Sequence, residues 1–226
     1  MVATGSQSDK CQVVDVSSSM SCANLPTYPF EMYGAAGGVI NNSPTICGGF
    51  STTSGSHGAQ ESCYTFNKDI NKWKFHCNMT SRRVDHAATV MKDVLFISGG
   101  FHSNSTEFIH ANGTVTSGPD LPVARFGHCM VTLHDGKVMI IGAATTSSLH
   151  HKNVSTFDSA DNSFTPGPSL SYKRIHAACT IFKSNLHNGR PVVLAAGGSG
   201  TKTAEVYDYT NNNQWQTSIH LNISNM

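Results

Sequence analysis

Twelve histidines and seven cysteines are the residues of this chain best suited to chemistry. Imidazoles and thiolates ligate zinc and copper, and both can serve in acid–base or nucleophilic catalysis. Their spacing argues against those uses. No CxxC and no HxxxH pair occurs, so no half-site for a metal is prebuilt. His150 and His151 are adjacent, and adjacent strand residues point to opposite faces, so they read as solvated loop residues. His86, His128 and His176 recur in RVDHAATVM, RFGHCMVTL and KRIHAACTI, each three residues after a cation. One histidine per segment implies a repeated structural duty and not a unique site. No GxSxG elbow, P-loop or dinucleotide pattern is present, and GGSG from Gly197 is followed by no helix. Of the 14 acids, Asp15, Asp158 and Asp208 recur at strand ends, where aspartate forms turns. These readings predict no catalytic residue, no metal and no cofactor.

Repeated short strands must position these residues. A hydrophobic run ending in a small pair recurs as VATGS from Val2, PTICGG from Pro44, VLFISGG from Val94, VMIIGA from Val138 and VVLAAGG from Val192. Its first glycines are Gly5, Gly48, Gly99, Gly142 and Gly197, spaced 43, 51, 43 and 55 residues apart. Gly49, Gly100 and Gly198 complete the diglycines. Such spacing fits loops of different length on a constant scaffold. The histidine segments precede the glycines; GAAGGVI from Gly34 fills that slot in the earlier unit, with Gly in the His place. A third strand follows, carrying Tyr64, Phe108, Phe157 or Tyr207. A fourth carries Trp73, Val115, Phe164 or Trp215. Stops such as Leu25-Pro26 and Leu121-Pro122 close it.

Four short strands in a period near 50 residues are the signature of propeller blades. With its His, diglycine, Tyr/Phe and Trp positions in order, the chain resembles the kelch-repeat β-propeller family, in the style common in invertebrates. The resemblance covers essentially the whole chain. It implies an all-β fold of four-stranded antiparallel blades, as one domain over 1–226. The units fall near 1–28, 29–80, 81–122, 123–170 and 171–226. The first begins in its second strand, which leaves nineteen strands. Kelch propellers most often have six or seven blades, so the expectation is a fragment of a longer ring; the other reading is a five-unit ring or arc. Galactose oxidase shares the wider superfamily fold. Its copper chemistry needs a Cys–Tyr crosslink, whereas Cys63-Tyr64 is only a sequence-neighbour pair here.

Cys11 with Cys22, and Cys63 with Cys77, fall on the third and fourth strands of consecutive units. Facing residues on neighbouring strands lie within disulfide range, so two bridges are expected there, with buried free thiols as the alternative. Cys47, Cys129 and Cys179 read as buried thiols. Bridges imply an oxidising compartment. Sequons at Asn78, Asn104, Asn112, Asn153 and Asn222 point the same way, and one at Asn41 is weakened by Pro44. The N-terminus carries no secretory signal pattern. An extracellular setting is expected, with a cytoplasmic one as the alternative. The net charge is +1 and only 13% of residues are charged, which argues against nucleic acid as a partner. No apolar run is long enough to span a bilayer.

The resemblance implies a non-enzymatic scaffold that binds a protein partner through loops. The loops after the diglycines offer Phe50, His57, Phe101, His102, His150, His151 and Lys202 as candidate contacts. The alternative is a secreted carbohydrate-binding or galactose-oxidase-like propeller.

Overall fold

The computed structural model describes residues 2–4, 11–13, 23–145, 152–199, 201–211 and 214–220. Among them are five antiparallel sheets stacked as blades, and a small accessory sheet. Blade I contains β1 (Val2–Thr4), β2 (Cys11–Val13) and β3 (Ala23–Leu25). Strand β4 (Met32–Tyr33) begins the accessory sheet. Blade II is built from β5 (Ala36–Ile40) and β6 (Ser43–Cys47), then, after β7 (Phe50–Ser51) and β8 (Gly58–Ala59), from β9 (Ser62–Asn67) and β10 (Lys72–Asn78). Strands β4, β7 and β8 pair with one another beside it. Blade III is β11 (Ala87–Met91), β12 (Val94–Ser98), β13 (Thr106–Ile109) and β14 (Val115–Ser117). Blade IV is β15 (Cys129–Thr132), β16 (Val138–Ile141), β17 (Val154–Asp158) and β18 (Ser163–Pro166). Blade V is β19 (Ala178–Ser184), β20 (Arg190–Ala196), β21 (Thr203–Tyr207) and β22 (Gln216–His220).

The first strands β5, β11, β15 and β19 lie side by side around the inside of the stack. Second strands are squeezed between neighbouring blades. All four residues of β16, and Leu95 to Ser98 of β12, are buried on both faces. That is why these strands are continuous apolar runs and do not alternate with polar residues. Phe96 stacks on Phe108 at 4.8 Å within blade III and meets Phe157 of blade IV at 4.8 Å. Phe157 pairs across the strands with Phe164. The tryptophans join blades differently. Trp73 Nε1 donates to the Pro26 carbonyl at 3.0 Å, and Trp215 Nε1 to the Pro168 carbonyl at 2.9 Å. In each case a fourth-strand ring reaches the stop of the preceding blade.

The stack is open at blade V. Ala178, Thr180 and Phe182 on one face of β19 are exposed, and no further blade among the described residues covers them.

The cysteine pairing differs from the sequence expectation. Cys63 is bridged to Cys47, not to Cys77, and Cys129 is bridged to Cys179. Cys63 faces Cys47 across β6–β9 and Cys77 across β10–β9. The β10 register slips between Phe75 and Cys77, whereas Cys47 and Cys63 stand only 4.1 Å apart between Cα atoms. Cys77 remains a buried thiol, pushed up to about 11 by burial and by the nearby Glu107 carboxylate. The second bridge ties the first strands of blades IV and V, a tertiary contact that strand spacing does not reveal. The Cys11–Cys22 pairing lies outside the described residues.

Candidate functional site

The diglycines, the starts of the first strands and the connecting loops gather at one end of the stack. A row of left-handed residues organises it: Gly34, Asp85, Gly127 and His176, with φ of 65°, 55°, 62° and 56°. Each of the last three donates its N–H to the carbonyl of the one before, at 2.8, 2.8 and 2.6 Å. One residue later stand Ala35, His86, His128 and Ala177. His86 and His128 press against the preceding blade: a Cβ on Gly48 would meet His86 Cε1 at 2.7 Å, and one on Gly99 would meet His128 Cε1 at 2.9 Å. Glycine is required where the imidazole packs.

This placement corrects two assignments. His176 belongs with Asp85 and Gly127, and Ala177 occupies the histidine position. Gly34 likewise belongs to the left-handed row, with Ala35 in the histidine place. The cation to align in blade V is Arg174, not Lys173; adjacent cations hid the one-residue offset. His86 and His128 are buried, whereas His176 is exposed and lies 3.9 Å from Asp85 Oδ1. Burial, reinforced by Arg83, lowers the His86 pKa to about 3. Burial, reinforced by Arg125 and His86, lowers His128 to about 3, and its Nε2 shares a 2.8 Å hydrogen bond with Ser98 Oγ. Both rings are neutral packing groups at neutral pH.

Sequence reasoning missed the buried arginines. Arg83 donates from Nε to Glu107 at 2.7 Å and from Nη1 to the Gly99 carbonyl at 2.7 Å. Arg174 donates from Nε to Glu205 at 3.0 Å and from Nη1 to the Gly197 carbonyl at 2.7 Å. Each therefore anchors the third strand and the diglycine of its own blade. The Arg83 carbonyl accepts the Gly49 N–H of the blade before at 2.8 Å. The signal lay in TEFI and TAEVY: one acid within an apolar strand, in a chain short of charge, requires a buried cation.

The candidate contacts divide into two aromatic groups. Phe101 is 55% exposed, with ring contacts to His102 at 4.1 Å and Phe126 at 5.2 Å. Phe50 is half-buried; it stacks on Tyr33 at 5.3 Å and meets His57 edge-on at 5.1 Å. Lys202 is exposed in the blade V loop. His150, His151 and Asn222 lie outside the described residues. The sequon side chains Asn78, Asn104 and Asn112 are exposed, and Asn153 is half-buried. A cleft of about 410 Å³ opens beside the accessory sheet, lined by Phe30, Tyr64, Gln60, Glu61, Asn78 and Arg82 among others. Among the described residues, no three His, Cys, Asp or Glu side chains are grouped to hold a metal, and no helix is long and apolar enough to cross a membrane.

No family model matches the chain. Among curated proteins, beta-scruin of Limulus polyphemus is 24% identical over 160 residues, covering 66% of this chain and 17% of that protein. Spermatocyte protein spe-26 of Caenorhabditis elegans is 33% identical over 82 residues, covering 34% of this chain and 14% of that protein. The chain thus spans less than a fifth of these relatives. The solved structure of YjhT superposes with a TM-score of 0.82 at 13% identity, over 97% of this chain and 80% of the other. Beta-scruin and spe-26 are kelch-repeat proteins, and YjhT is a kelch-type propeller. Strand order and diglycines agree with that superposition, and the chain has the fold of a kelch-type β-propeller.

Proposed function

We propose that the chain is a non-enzymatic kelch scaffold that binds a protein partner at its diglycine end. The observation carrying this reading is the exposed Phe101 ring, with His102 and Phe126 against it. Solvated aromatics on a rigid rim are the usual anchors of protein interfaces. Binding partners are the general role of kelch-repeat relatives. The test is affinity capture from a native extract with wild-type chain and Phe101→Ser/His102→Ser. The reading holds if a saturable partner binds wild-type at least tenfold more tightly. It fails if every captured protein binds both equally.

A second reading, carbohydrate binding, is favoured by the cleft beside the accessory sheet. There the Tyr64 and Phe30 rings stand next to the planar polar groups of Gln60, Asn78 and Arg82. Glycan-array binding that is lost on Tyr64→Ala would give it precedence. For either reading we propose an oxidising, extracellular setting, supported by the two cystine bridges and the exposed sequons.

A further inference from the structure

Arg83, Arg125 and Arg174 stand at one position in blades III, IV and V, and all three are buried. Two face an acid. Glu107 pairs with Ile97 and Glu205 with Ala195, each two residues before the first glycine. The residue paired at that place in blade IV, with Ile140, is Ser155. A serine has replaced the carboxylate while the cation has been kept. Arg125 is 3% exposed; its Nη2 donates to Ser155 Oγ at 3.2 Å, and its Nε and Nη1 have no hydrogen-bond partner among the described residues. Burial with no counter-charge lowers its pKa to about 10.

The shorter side chain leaves a cleft of about 200 Å³ on the diglycine end, between the start of β17 and the end of β18. Arg125, Asn153, Ser155, Pro166 and Ser169 line it, and Arg125 is the one charged side chain among its lining residues. A second change accompanies the first. Thr80 and Ser171 donate backbone N–H groups to Glu107 and Glu205, at 2.8 and 2.6 Å. Pro122 stands in their place and has no N–H to give. Val123 keeps the next N–H, the counterpart of the Tyr172 N–H that donates to Glu205 at 3.2 Å. Blade IV has therefore lost its own acid and one donor that holds it, and has kept the guanidinium.

A buried cation without its anion is strongly unfavourable. The sister blades show which anion completes it: a carboxylate with an oxygen on Nε. Its second oxygen remains free for a neighbouring N–H, which a halide cannot offer. We propose that the cleft beside Arg125 and Ser155 is a carboxylate-binding site, filled by a small organic acid or by an Asp or Glu side chain of another molecule. The ligand's carboxylate takes the position that Glu107 and Glu205 occupy in blades III and V. The inference does not require a protein partner.

The test is NMR of the ¹⁵N-labelled chain, following the Arg125 Nε–Hε signal, assigned by its loss in Arg125→Met. Sodium acetate and the peptide acetyl-Gly-Glu-Gly-amide are titrated against sodium chloride at constant ionic strength. The proposal expects a saturable shift with carboxylate that is at least tenfold weaker with chloride. Ser155→Glu supplies the missing acid internally and should abolish the shift. Tighter binding of the peptide identifies a side-chain ligand, and tighter binding of acetate a free acid. No saturable shift with either carboxylate, an equal response to chloride, or an undiminished shift in Ser155→Glu would overturn the proposal.

Discussion

Trp215 donates its indole N–H to the carbonyl of Pro168, 47 residues earlier, and so fastens the last strand of blade V to the end of blade IV. Its ring also stacks on Tyr207 at 5.3 Å and is 6% exposed. Trp215→Ala should destabilise the chain by about 3–5 kcal/mol, from lost burial and the cavity left behind. Trp215→Phe keeps most of the ring contact but strands the Pro168 carbonyl, and should cost about 1–3 kcal/mol. Denaturant midpoints at constant m-value check both; an undiminished midpoint in Trp215→Phe would mean that the hydrogen bond contributes nothing.

The buried Arg–Glu pairs predict an asymmetry between blades. Glu107→Ala leaves Arg83 buried and uncompensated and should cost about 3–5 kcal/mol. A double replacement of Arg83 and Glu107 by apolar residues should recover much of that loss. In blade IV, Ser155→Glu should raise the melting temperature, since the cation is already in place. Calorimetry of the three variants decides the matter, and a destabilising Ser155→Glu contradicts this account.

Acid should weaken the fold before the carboxylates titrate. The folded pKa values of His86 and His128 lie near 3, below the unfolded value near 6.5. Below pH 6.5 the unfolded chain takes up protons that the folded chain refuses. The stability contributed by these neutral rings is complete above that pH and is lost as the pH falls toward 3. Each histidine should add a slope approaching about 1.4 kcal/mol per pH unit between pH 6 and 4.5. Urea midpoints over that window measure it. His128→Gln should flatten the dependence; an unchanged slope rejects the assignment.

Peptide mapping without reductant should recover Cys47 with Cys63 and Cys129 with Cys179, and alkylation after denaturation should label Cys77. Cys179→Ser should cost about 2–5 kcal/mol, and Cys77→Ala much less than either bridge. Finding Cys63 joined to Cys77 would contradict the register.

The sequence made the blades legible because two periodicities coincide: blade strands of three to seven residues, and a glycine pair where only a left-handed backbone fits. Phe157 and Trp215 were readable as recurring aromatic positions for the same reason. What it hid were choices between neighbours. Cys63 has a cysteine opposite it on either side, and only the slip at Phe75 separates them. Lys173 and Arg174 are equally good cations on paper, but just Arg174 reaches a buried glutamate. The Arg125 cleft was invisible because its signal is a missing acid, noticed only when three blades are superposed.

The bridge between Cys129 and Cys179 also governs how the chain responds to pulling. Tension applied through the two ends would peel strands away one at a time, but the 50 residues between these cysteines are short-circuited by the sulfur link. About 170 Å of extended length is thereby withheld from the load until the link is reduced. Blade IV lies almost wholly inside this loop and is shielded from the load, while blade III, between the two bridges, can unravel; a reductant would appear in a force–extension trace as added contour length.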